Sequence, residues 1–294
     1  MARNLRAKIP DSDEVIVYDV NATATQSFLE EAQGLHVRAA VSPREVAEMS
    51  DTVITVLPEP QHVKSVFEKI LASALPAAPT TTSRLFLDCS TIDPTTSRLV
   101  ASLVHASASE SSAIFVDAPM SGGVVGARAG SLTFMVGCEP DMLSKVEKVL
   151  LLMGKMVWHL GAQGAGLSGK LANNYALAIN NIATAEAMNL GLKWGLDPKT
   201  LGNLINSSTG RSWPSEVNNP VPGVVGSAPA SRDYEGGFGV SLMKKDLKLA
   251  IRAAQEADAR LELATKAEEV YEKVEQDHKG KDFSVVYRWL GGKE

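Results

Sequence analysis

The chain has 294 residues, 45% apolar and 21% charged, a length and composition that suit ordinary globular folding in two domains. Its 29 basic and 34 acidic residues leave a net charge of -5 without a basic run, which argues against nucleic acid or anionic membrane as the main partner. No apolar run approaches the roughly 18 residues of a membrane span, no signal-peptide core opens the chain, and Cys89, Cys138 and the scattered histidines lack metal-ligand spacing.

In chain order, residues 1–9 read as the end of an amphipathic helix, followed by a turn at Pro10 and a strand over 15–20. Asp19, near that strand's end, is the kind of acid that accepts from ribose hydroxyls in a dinucleotide fold, or a turn residue. A helix over 25–33, a short strand over 36–40 and a helix opened by the box Ser42-Pro-Arg-Glu45 come next. Residues 52–58 form an apolar run suited to a buried parallel strand, with Leu57 and Pro58 at its crevice end. A helix over 61–74 leads into a low-complexity surface loop at 75–82. The strand over 85–89 ends in Ser90, Thr91 and Asp93, which are either ligand-facing or helix-capping residues. A strand over 114–119 precedes Ser121-Gly122-Gly123, read as a carboxylate cradle or a sharp turn. Strands over 132–137 and 156–160, separated by a helix over 140–152, close the strand-rich half.

Residues 164–174, Gly-Ala-Gly-Leu-Ser-Gly-Lys-Leu-Ala-Asn-Asn, mark the change from this α/β half to a helical one. They fit G-x-G-x-x-G and nearly fit a phosphate loop, but Leu171 replaces its hydroxyl residue and no βαβ context lies downstream. Lys170 and Asn174, at i and i+4, share one helix face and make a plausible acid/base pair. The long helix they open is expected over 170–195, with Gly195 at its C-terminal cap and Asp197-Pro198 opening the next. Irregular segments surround Trp213 and residues 219–223. Helices are expected beyond them over 238–257, 261–277 and 282–290.

Several stretches, in order, resemble the β-hydroxyacid dehydrogenases: Tyr18-Asp-Val-Asn21, Leu57-Pro58, Asp117-Ala-Pro-Met-Ser-Gly-Gly123, residues 164–174, 184–191, and Leu242-Met-Lys-Lys-Asp-Leu247. The resemblance covers nearly the whole chain. It implies an α/β Rossmann domain, incomplete at the N-terminus, over 1–162 and an all-α domain over 163–294, joined by a long interdomain helix. It implies NAD as cofactor, touched by Asp19, Leu57, Pro58, His62, Thr91 and Lys245. A small hydroxy-acid substrate would be held by Ser121, Gly122, Gly123, Lys245 and Asp246, with Lys170 and Asn174 catalytic. Lys170 would take the hydroxyl proton as hydride leaves carbon, a role that needs desolvation of its ammonium.

The implied reaction is oxidation of 3-hydroxyisobutyrate to methylmalonate semialdehyde in valine catabolism. The alternatives are reduction of tartronate or succinate semialdehyde, or a non-catalytic form unable to hold cofactor. The resemblance further implies a homodimer or homotetramer in the mitochondrial matrix. Met1-Ala-Arg-Asn-Leu5 matches the interior of the family's first helix. The strand and glycine turn that precede it in the family have no counterpart, so the chain reads as a truncated gene model. Strands flanking the missing one are expected to lack a partner.

Overall fold

The computed structural model describes residues 1–81, 83–107 and 112–293. Thr82, in the expected loop, lies outside them. The chain forms two compact units, Met1–Lys170 and Leu171–Glu294.

The first unit alternates helices and strands: α1 (Ala2–Arg6), β1 (Val15–Val17), α2 (Ala22–Glu31), β2 (Val37–Ala39), α3 (Pro43–Glu48), β3 (Thr52–Thr55), α4 (Pro60–Ile70), β4 (Ser83–Asp88), α5 (Pro94–Ser107), β5 (Ser112–Asp117), β6 (Met120–Ser121), α6 (Gly123–Ala129), β7 (Leu132–Gly137), α7 (Leu143–Leu150) and β8 (Gly154–Gly161). Strands β3, β4 and β5 pair in parallel, β7 joins antiparallel to β5 and β6, and β8 pairs parallel to β7. Strand alternation feeds two apolar layers. Leu85, Leu87 and Val116 face a cluster containing Val146 and Leu150 of α7, whereas Phe86 and Phe115 face Val63, Phe67, Val100 and Val104 of α4 and α5. Phe67 meets Phe86 and Phe115 edge-on, with centroids 5.4 and 5.1 Å away. A sheet covered on both faces explains the continuous apolar runs in its parallel strands.

Strands β1 and β2 pair in parallel with each other and form a separate two-stranded sheet. No ladder joins β1 to β3 among the described residues.

Local signals mostly act where the sequence places them. Ser42 caps α3 by accepting from the Glu45 amide, but the Glu45 carboxylate takes the Val41 N–H at 2.7 Å, so the reciprocal box is displaced by one residue. The loop after α4 is held from below. Buried Arg84 donates to the carbonyls of Ser50, Pro76 and Ala77, while Asp51 accepts from Thr80 and Thr81.

Helix α8 (Ala165–Lys193) starts five residues before the expected Lys170, and its opening residues belong to the first unit. In the second unit it is succeeded by α9 (Pro198–Ser207), α10 (Trp213–Glu216), α11 (Val240–Glu256), α12 (Ala264–His278) and α13 (Val286–Trp289). Their core joins Ala185 and Met188 of α8 to Met243, Leu247, Tyr271 and Phe283. Asp282 organises the irregular segments by accepting from Asn218 and from the Phe238 and Ser284 amides. No described helix is long and apolar enough to cross a membrane.

Candidate functional site

In the first unit the expected cofactor residues stand at the carboxyl ends of strands. Asp19 follows β1, is exposed, and accepts the Asn21 N–H at 2.8 Å, leaving its carboxylate open to solvent. Leu57 and Pro58 follow β3, Thr91 follows β4, and His62 lies exposed in the first turn of α4. The loops after β3 and β4 are brought together by a strut. The Leu57 N–H donates to Ser90 Oγ at 2.8 Å, and that hydroxyl donates to Asp88 Oδ1 at 2.6 Å. Thr55 Oγ1 donates to the same oxygen at 2.7 Å. Asp93 is a cap, accepting from the Thr96 amide and hydroxyl at 2.7 and 2.8 Å. Of its two readings, the structure supports capping.

Ser121 ends β6, and Gly122 and Gly123 lead into α6 with φ of +130° and +59°. An L side chain is strained at either angle. Open space surrounds the place a Gly123 side chain would occupy. Backbone N–H groups at the start of a helix, beside open space, can receive a carboxylate.

The glycine-rich start of α8 binds an anion that belongs to the protein. Asp117, fully buried at the end of β5, accepts from the Gly164 N–H at 2.6 Å and the Leu167 N–H at 2.9 Å. Gly166 is a glycine for want of room: a Cβ there would lie 2.3 Å from Met135 O and 2.9 Å from the Asp117 carboxylate. Gly164 and Gly166 of these glycine patterns are accounted for by this docking, in which a carboxylate occupies the place of a phosphate, while Gly169 makes room for Leu160. Burial, only partly offset by these N–H groups, pushes the Asp117 carboxyl up to about 6. Asp88, its register neighbour on β4, is likewise raised by burial, with Oδ2 buried and unpartnered.

Lys170 is buried in the second turn of α8, at the last position of the first unit. Asn174, one turn on, belongs to the second unit. There its amide donates to Asp246 Oδ2 at 2.6 Å, while Lys245 Nζ lies 3.2 Å from Asp246 Oδ1. Asp246, expected from sequence to be a substrate residue, is buried and engaged by these two side chains. Sequence reasoning misses Asp88 and the anchoring role of Asp117. Ser90 apart, their partners Thr55, Gly164 and Leu167 lie 33 to 50 residues away, and only the recurrence of an aspartate at a strand end hints at them.

A cavity of about 700 Å³ in the first unit tests the fit of a dinucleotide. Its lining includes Val17 and Asp19 beside β1, Ile54 of β3, and Arg3 and Asn4 of α1. An apolar wall with a carboxylate at its rim fits an adenosine. No glycine lines the cavity, and α1, whose first residues line it, has only five residues. The fit is therefore partial.

Comparison with known proteins agrees with this architecture. Residues 1–161 match the family model for the NAD binding domain of 6-phosphogluconate dehydrogenase, and residues 164–290 match that for the NAD-binding region of NADP-dependent 3-hydroxyisobutyrate dehydrogenase. The chain is 41% identical to mitochondrial 3-hydroxyisobutyrate dehydrogenase of Mus musculus, over 100% of this chain and 84% of that protein. It is 43% identical to the Drosophila melanogaster enzyme of the same name, over 98% and 84%. Among solved structures, 3-hydroxyisobutyrate dehydrogenase of Mycobacterium tuberculosis with L-serine superimposes with a TM-score of 0.87 at 37% identity, covering 98% of this chain and 94% of that one. With a Rossmann-like first unit and a helical second one, the chain belongs to the 3-hydroxyisobutyrate dehydrogenase family of nicotinamide-dinucleotide oxidoreductases.

Proposed function

We propose that the chain oxidises 3-hydroxyisobutyrate to methylmalonate semialdehyde in valine catabolism, with NAD as the acceptor, and that Lys170 is its acid/base residue. The observation that carries this reading is a buried lysine on a helix whose start is anchored, in a chain about 40% identical throughout to proteins of that name. The bound cofactor supplies a nicotinamide ring that accepts hydride. Lys170 removes the hydroxyl proton as the C–H bond breaks and returns it in the reverse direction. Asn174, held by Asp246, orients the substrate hydroxyl. In the first unit Ser121, Gly122 and Gly123 receive the substrate carboxylate; in the second, Lys245 is a residue for substrate and cofactor. Leu57, Pro58, His62 and Thr91 contact the cofactor. Asp19 accepts from the adenosine ribose hydroxyls and repels a 2′-phosphate, which favours NAD over NADP.

The names of the relatives support a mitochondrial location, and the matrix belongs to the same reading. Assembly as a homodimer or homotetramer belongs to the same reading. The deciding experiment is Lys170→Ala in a chain that turns over. Loss of about a hundredfold or more in kcat with NAD affinity retained supports the assignment; near-normal turnover refutes it. A panel of 3-hydroxyisobutyrate, tartronate semialdehyde and succinate semialdehyde separates the substrate readings.

A further inference from the structure

We infer that Asp117 is a positioning residue for Lys170: its carboxylate fixes the height and rotation of the first turn of α8, and with them the place of the lysine. This rests on the reading of Lys170 as the acid/base residue. The geometry is that of a two-point clamp. One carboxylate oxygen takes the Gly164 N–H and the other takes the Leu167 N–H, at 2.6 and 2.9 Å. The two donors bracket the first turn, so the helix can neither slide along its axis nor rotate without breaking one of them.

Two glycines make the fit close. A Cβ on Gly137 of β7 would stand 2.4 Å from Asp117 Oδ1, and one on Gly166 would stand 2.9 Å from Oδ2. Lys170 comes four residues after Gly166, which puts it on the same helix face about 6 Å further along the axis. A displacement at the docking point is therefore passed on within one rigid turn.

The charged and titratable groups around the clamp are Asp88 on β4, Cys138 after β7, and Arg98 of α5, whose guanidinium lies against Gly164. Asp88 raises the cost of ionising Asp117, as burial does more strongly. A carboxylate placed where its charge is penalised suits precise placement better than stability.

The test measures the chemical reactivity of Lys170 in protein without cofactor. The rate of its modification by trinitrobenzenesulfonate, read by peptide mass spectrometry across a pH series, is compared among wild type, Asp117→Asn and Gly166→Ala. Exposed Lys155 serves as the internal control. Both variants are expected to change the Lys170 rate at neutral pH by roughly tenfold and to leave Lys155 alone. Folded variants whose Lys170 profiles superimpose on wild type overturn the proposal. If Asp117→Asn does not fold, Gly166→Ala decides, since it keeps the carboxylate and displaces the helix. If neither folds, wild type decides. The Lys170 rate and the hydrogen exchange of the Gly164 and Leu167 amides must then change together as Asp117 is protonated, and independent courses refute the clamp. Turnover is not the readout, so the acid/base role can fail in Lys170→Ala without touching this result.

Discussion

At the scale of single residues, Asp246 shows how a buried carboxylate is held by its neighbours. It is buried, and its two oxygens are taken by Asn174 at 2.6 Å and Lys245 at 3.2 Å. Asn174 also accepts from Asn173 at 3.1 Å, so both ends of its amide are engaged. Asp246→Ala leaves a buried amide donor without its acceptor and removes the carboxylate beside Lys245. The expected loss is about 2 kcal/mol of stability, measured by urea unfolding. Asp246→Asn should lose less, because one acceptor remains. Equal stability in Asp246→Ala and wild type would show that the Asn174 contact contributes nothing. Asp19 is the opposite case. It is exposed, its local bond is to Asn21, and its removal should leave stability within about 0.5 kcal/mol.

At the scale of elements, α8 carries the pH dependence that the buried carboxylate implies. The Asp117 carboxyl is raised from 3.8 to about 6, burial being the main cause. A raised acid contributes stability that is complete below its unfolded value and is lost as pH climbs through the folded one. The loss between about 3.8 and about 6 is roughly 3 kcal/mol. Asp117→Asn lacks this titration. Its stability relative to wild type should rise across that window and be flat above it, and a flat difference throughout would refute the assignment. Asp233, exposed and held down to about 2 by Lys281 and Arg288, contributes in the opposite sense, with stability lost as pH falls below 3.8.

The same helix marks what is legible in sequence. Gly195 and Asp197-Pro198 are local signals, and they end α8 and open α9 where their positions predict. Sequence places the start of α8 five residues late because its cap comes from Asp117, 47 residues earlier in the chain. Lys170 and Asn174 stand out because a four-residue spacing is itself a local geometric fact. The strut from Leu57 through Ser90 to Asp88 joins two strands, and no spacing within either one announces it. Buried Arg84, which ties down the loop after α4, is hidden for the same reason.

At the scale of the whole molecule, alternating apolar strands and helices are enough to read a Rossmann-like half and a helical half. The break between β1 and β3 bears most directly on function, and it lies within the first unit. Val17 and Ile54, on strands that share no ladder, both line the 700 Å³ cavity, which has no glycine in its walls. A dinucleotide there would gain a ribose partner in Asp19 but meets no glycine turn whose backbone N–H groups would hold a diphosphate. Two such charge-assisted bonds amount to about 3 kcal/mol, or roughly a hundredfold in affinity. Calorimetric titration of NAD into these 294 residues, beside a chain carrying one more strand and a glycine turn ahead of Ala2, is expected to show that difference. The longer chain should also protect the amides of β1 and β3 from hydrogen exchange, since each would gain a ladder. Equal affinities would mean that the open cavity already holds the diphosphate through side chains such as Arg3 and Asn4, and that the split sheet is compatible with full cofactor binding.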